Sequence, residues 1–213
     1  KGFFGSLDQR RPSLKVKLDK YTKGTNIEGL VSLTLNNNKQ DTTLMSQFIG
    51  YDLFRTAGIP APRATLARVS VNGENLGVYS HIESIRKPFL AKAFGNSNGT
   101  LYEGTVIDFY EHWIGGFEHK FGPKKTGFAQ LQALTTAIDI KDDAEAEEAI
   151  WKILDQDAFY KFWAMEGLLS FWDGYSGNRN NFFVYHNPEI NKLQFIPWGA
   201  DAMFETYSKL GEV

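Results

Sequence analysis

Residues 14–18 alternate apolar and basic side chains, Leu14-Lys15-Val16-Lys17-Leu18, which is the period of a strand. Leu14, Val16 and Leu18 would share its core face, and Lys15 and Lys17 the opposite one. A second short strand over 30–35 runs into Asn36-Asn37-Asn38. Asp41 is a good N-cap for a helix starting at Thr42. Leu44, Phe48 and Tyr51 form its expected stripe, widened by Met45, Ile49 and Leu53. Gly58 closes that helix, and Pro60 and Pro62 forbid its continuation. Strands over 64–71 and 76–83 follow, joined through Asn72-Gly73, a strong hairpin signal.

Residues 95–127 are rich in Gly, Asn and aromatics with little periodicity, and read as an insertion or a substrate-facing loop. Helices are expected over about 127–138, 143–154 and 157–171. The second carries Asp142, Asp143 and Glu145 in its first turn, where the helix dipole favours acids. The third would place Phe159, Phe162, Trp163, Leu168 and Leu169 inward. Strands over 182–185 and 193–196 then make a second hairpin, its turn opening with His186-Asn187-Pro188.

Composition narrows the chemistry. The 213 residues are 42% hydrophobic and 15% aromatic, enough to bury a sizeable core. With 23 Lys and Arg against 25 Asp and Glu, and no long basic run, binding of nucleic acid by phosphate neutralisation is not expected. Cysteine is absent, which excludes disulfides, thiolate nucleophiles and Cys-bound zinc. No apolar stretch approaches the roughly 18 residues that would span a bilayer, so no membrane span is expected. The opening KGFFGSL has no signal-peptide pattern and reads as the interior of a domain, so the chain is taken as a portion of a longer protein. The four histidines show no metal-ligand pair, and neither a Walker loop nor a Gly-x-Ser-x-Gly elbow is present. Gly2 and Gly5 are weak candidates for a phosphate-covering turn. Phe109, Tyr110, Trp113 and Phe117 suit either a substrate surface or, as is more frequent, buried packing.

The chemistry concentrates in FWDGYSGNRNNFFVYHNPEINKLQFIPWGADAMF. Phosphoryl transfer needs a carboxylate facing the acceptor and oxygen ligands for magnesium. Asp173, Asn181 and Asp201 stand in that order around the hairpin, whose two strand ends finish at one edge. The alternative is structural: Asp173 and Asp201 as caps, with Asn178, Asn180 and Asn181 as turn formers. Arg179 would pair with the loop Asp or with phosphates, or simply be an exposed surface side chain. Lys15 and Lys17 are otherwise a solvated strand face, and Glu83 an edge-strand charge.

Two blocks resemble the CotH kinase family, named for a spore-coat protein. One is LNNNKQDTTLMSQFIGYDLFRTAGIPAPRATLARVSVNGENLGVYSHIE, and the other is WDGYSGNRNNFFVY with FIPWGADAMF. The resemblance implies an α+β, atypical protein-kinase-like bilobal fold: a small antiparallel-sheet lobe with one helix over about 1–85, and a larger helical lobe with the catalytic hairpin over 86–213. It implies use of ATP with magnesium or manganese, and a protein phosphorylated on Ser or Thr. By position, Asp173 would orient or deprotonate the acceptor hydroxyl. Asn181 (or Asn178) and Asp201 would serve the metal, Lys15 the phosphates, and Glu83 the adenine-side linker. Secretion, or display on a spore or cell surface, is implied too. Two positions depart from the family pattern. Gly199 stands where many members have Asp, and Gln47 where an acid would pair with the strand lysine. A pseudokinase or surface module that binds nucleotide without turnover is the alternative reading.

Overall fold

The hairpin signalled by Asn72-Gly73 is built as expected, with both residues at positive φ (52° and 85°) in the turn between β3 (Ala64–Val71) and β4 (Glu74–Ile82). The structure is a computed structural model describing residues 7–204, so Gly2 and Gly5 lie outside the described residues. β1 (Leu14–Lys17) and β2 (Ser32–Asn36) complete a four-stranded antiparallel sheet in the order β1-β2-β4-β3. β1 forms its edge, and Val16 is 40% exposed rather than inward. An edge strand with little packed over it does not enforce the alternation that its sequence carries.

Helix α1 spans Ser46–Thr56, four residues later than Asp41 suggested. The Asp41 carboxylate does hold its start, but through an intervening turn: it accepts bonds from Thr43 N (2.9 Å), Thr43 Oγ1 (2.6 Å) and Ser46 N (2.8 Å). The buried face is Gln47, Gly50, Tyr51 and Phe54, while Phe48, Ile49 and Leu53 stay exposed. The segment around 200–203 selects this face. A Cβ on Gly50 would lie 2.5 Å from Met203 Cε, and Tyr51 Oη accepts from Ala200 N at 3.4 Å.

The stretch read as an insertion is partly sheet. Helix α2 (Lys87–Phe94) precedes it, and β5 (Thr100–Gly104) and β6 (Glu118–Phe121) lie within it. They join β7 (Phe182–Asn187) and β8 (Lys192–Pro197) in a second antiparallel sheet, ordered β6-β5-β7-β8. The second hairpin is thus half of a sheet, not an isolated unit in a helical lobe. Four of the five β5 residues are buried, so the strand shows no in-out alternation. The helices α3 (Lys124–Ile138), α4 (Asp143–Ile153) and α5 (Gln156–Leu168) follow the expected positions. Asp142 caps α4 by accepting from Glu145 N. On α5, Phe162 is fully buried and Leu169 just beyond it nearly so, but Trp163 and Leu168 point outward, 48% and 76% exposed.

A single large core contains Tyr51, Phe54 and Ile82 from the first part of the chain and Phe162, Phe182 and Phe195 from the second. The architecture is therefore α+β, with two antiparallel sheets and six helices among the described residues.

Candidate functional site

The backbone leaves α5 through a tight turn, Phe171 N bonding back to Glu166 O at 2.9 Å, and enters the polar segment 173–181. Asparagines here are more than turn formers. Asp173 Oδ1 accepts from Asn178 Nδ2 (2.7 Å) and Asn180 Nδ2 (3.1 Å), and Asp173 Oδ2 accepts from Asn181 Nδ2 (2.8 Å). Asn181 Nδ2 also donates to the Asp173 backbone carbonyl at 3.0 Å. Three amides therefore fix the orientation of one partly exposed carboxylate. Positive φ at Arg179 (51°) and Asn181 (53°) lets the short segment curl so tightly. Between these elements lies α6 (Tyr175–Asn178), a single turn.

The hairpin then acts as the ruler its order suggested. Phe182 pairs with Pro197, and Trp198 N donates to Asn181 O at 2.9 Å, so Asn181 faces the start of the 198–201 segment. A Cβ on Gly199, which has φ +56°, would lie 2.5 Å from Asn181 Oδ1. No side chain fits at 199 while Asn181 holds Asp173. Gly199→Ala is expected to destabilise the fold by about 1–3 kcal/mol, from left-handed strain plus the clash. The drop should be visible in the urea midpoint.

Asp201 stands near both other acids. Burial, and then the charges of Asp173 and Asp41, push its carboxyl up to about 6, against its own backbone N–H and Asn36. Asn36 Nδ2 donates to Asp201 Oδ2 at 3.4 Å. A pocket of about 180 Å³, with Asp41, Ser46 and Asp201 in its wall, adjoins this carboxylate. It is the size of a hydrated cation rather than a whole nucleotide, whose sites run to roughly 300–1,000 Å³. Because the folded-state value lies above the ordinary 3.8, the folded chain holds more protons than the unfolded one between about pH 4 and 6. Metal-free stability should therefore fall as pH rises through that window. Asp201→Asn should flatten the fall in denaturant titrations run across it.

The donor set can be tested against a hard divalent cation. Among the described residues, no group of three or more His, Asp or Glu side chains converges as a metal cage. Magnesium needs none when phosphates supply oxygens, since one or two protein carboxylates suffice. Asp201 offers a carboxylate raised by burial and then by neighbouring negative charge, and Asn181, its N–H groups turned to Asp173, offers Oδ1. The residues fit such an ion.

The remaining candidates divide. Lys15 pairs with Thr34, which puts it on the same sheet face as Asn36 and diagonal to it, about 7–8 Å away in a regular ladder. Lys15 is thus on the face that reaches Asp201. Its pKa is lowered by partial burial and then by the charges of Arg86, Lys120 and Lys17, with Glu103 opposing. Glu83 is fully engaged elsewhere: its carboxylate takes Arg63 N (3.1 Å), Nε (3.0 Å) and Nη2 (2.7 Å). Arg179 Nε pairs with Asp108 Oδ2 at 3.1 Å and its guanidinium lies 5.9 Å from the Trp113 ring, away from the loop Asp. Gln47 is 1% exposed, with its Oε1 buried and without a hydrogen-bond partner. Of the four aromatics, Phe109 and Phe117 are core, while Tyr110 and Trp113 are 40% and 36% exposed.

One residue escaped sequence reasoning. Glu166, 1% exposed, accepts from Tyr175 N (3.1 Å) and Ser176 N (2.7 Å). Burial pushes its carboxyl up to about 7, against those bonds. Its position on an otherwise apolar helix face was the available signal.

A family model described as "CotH kinase protein" matches residues 1–212. Inner spore coat protein H of Bacillus subtilis is 29% identical over 185 residues, covering 82% of this chain and 50% of that protein. The invasins CotH2 and CotH3 of Rhizopus delemar are each 24% identical, over 80% of this chain and 31% of theirs. The chain thus spans half the length of the bacterial relative and under a third of the fungal ones. Among the described residues, no helix is long and apolar enough to cross a membrane.

Proposed function

The chain belongs to the CotH kinase protein family, and from that premise we propose that it is an atypical protein kinase that transfers the γ-phosphate of ATP to Ser or Thr of a protein, with magnesium. The observation that carries this reading is the one carboxylate, Asp173, oriented by three asparagine amides beside a second buried-side acid, Asp201. Asp173 receives the proton of the acceptor hydroxyl as its oxygen bonds to phosphorus and the bond to the β-phosphate oxygen breaks. Asn181 Oδ1 and Asp201 would hold the metal, which when bound offsets charge on the phosphate oxygens. Lys15 would meet the phosphates from the first sheet. In this reading the first sheet with α1 corresponds to a small kinase lobe and the rest to a large one. The relatives' names, spore coat protein and invasin, support placement at a surface.

Gly199 and Gln47 favour one second reading, nucleotide binding without turnover, because each replaces a carboxylate that the family pattern supplies. The two separate in one experiment. Protein is incubated with γ-labelled or α-labelled ATP and magnesium, and its thermal midpoint is followed with ATP with and without the metal. Label from the γ position alone, with a magnesium-dependent rise in midpoint, supports kinase activity. A rise without label supports the second reading, label from the α position indicates AMP transfer, and neither change removes both nucleotide readings.

A further inference from the structure

We propose that Glu166 is a positioning residue for Asp173, a role that rests on the reading of Asp173 given above. The carboxylate sits at the buried end of α5, seven residues before Asp173 in the chain. It acts through the backbone. One oxygen takes Tyr175 N and the other Ser176 N, the first N–H groups of α6, which follow Asp173 by two and three residues. Gly174 between them is packed so closely that a Cβ would fall 2.5 Å from Glu166 Oε1. Gly174 N also donates to Phe171 O at 3.0 Å. The turn bearing Asp173 is thus pinned from below by one buried carboxyl group.

Its far end is pinned separately. The Tyr175 hydroxyl donates to Asp108 Oδ1 (2.9 Å), Ile107 N donates to Arg179 O (2.9 Å), and Val106 N donates to Asn180 Oδ1 (3.2 Å). Those contacts set the loop's outer rim, whereas Glu166 sets where the loop leaves the core. A buried acid is costly unless its oxygens are occupied, and the Tyr175 and Ser176 backbone N–H groups, with the Ser176 side chain, occupy these. Exchanging one oxygen for an amide NH2 turns a donor toward a donor. The turn must then shift, and Asp173 moves with it. A displacement of about 1 Å at a reacting group costs up to ~100-fold in rate.

The test compares wild type with Glu166→Gln in γ-phosphate transfer, and follows amide exchange at Tyr175 and Ser176 by NMR. The expected result is a kcat about 10- to 100-fold lower with KM for ATP within about twofold, because the nucleotide's own ligands are untouched. Exchange at those two amides should rise about tenfold or more while β7 amides keep their protection. An unchanged kcat in an active protein overturns the inference and leaves the kinase reading standing. If wild type transfers nothing, the kinase reading falls, and the exchange data alone decide whether Glu166 holds the turn. Exchange that rises as much at β7 as at Tyr175 and Ser176 in a variant that still folds would show a structural role only and overturns the proposal. Should Glu166→Gln fail to fold, wild-type exchange still decides: Tyr175 and Ser176 amides that exchange as fast as exposed loop amides overturn the proposal, and slow exchange there supports it.

Discussion

Asp173→Ala is expected to lower γ-phosphate transfer about 10²- to 10⁴-fold, the range for losing a positioned general base. The loss should fall on kcat, since no contact to nucleotide is assigned to this carboxylate. Asn178, Asn180 and Asn181 would lose their common acceptor, but none is buried, so water can replace it and stability should change little. A second readout follows from charge. Burial is the main cause that holds the Asp201 carboxyl up and Asp173 a lesser one, so removing Asp173 should bring that pKa down from about 6 while burial still keeps it raised. Titration by NMR of the metal-free variant would show it. Equal transfer by wild type and variant removes Asp173 from the mechanism, whatever the titration shows.

The largest effect on stability is expected from Phe182→Ala, about 3–5 kcal/mol, in the range for deleting a fully buried aromatic. The Phe182 ring is 0% exposed and stacks on Phe195 with centroids 5.5 Å apart. Tyr175 approaches at 4.8 Å and Phe117 at 6.0 Å, edge-on. Its ring also fills the space over Gly104, where no Cβ fits. Because four elements meet on one ring, truncation leaves a cavity that none can close alone. Phe182 follows Asn181 directly, so catalytic loss should accompany the fall in urea midpoint. A loss below 1 kcal/mol would mean that the core repacks freely around this position.

How much of this was legible follows from what each residue must satisfy. The β3–β4 hairpin was readable because Asn72-Gly73 is dictated by local backbone geometry. The β7–β8 hairpin and the helices α3 to α5 were readable because their patterns run long enough to repeat. β5 was not, because a central strand covered on both sides loses its alternation and TLYEG resembles loop. The wrong face of α1 has a tertiary cause: Gly50 is inward because Met203 lies on it, which no residue within α1 announces. In the site, Asn181 is hydrogen-bonded to Asp173, and the charge of Asp173 acts on Asp201. The aim of all three amides at Asp173 was not foretold, since it depends on left-handed backbone at Arg179 and Asn181. Glu83 was assigned by position in a motif, whereas its carboxylate is committed to Arg63.

The fit of Asn181 over Gly199 also constrains how this sequence can change over generations. Any new side chain at 199 meets the Asn181 amide first, so a mutation toward aspartate costs Asp173 one of its three amide donors before it adds a carboxylate. An additional acid in this site is accessible only along a path on which position 181 yields first, and the present pair is in that sense an evolutionary lock.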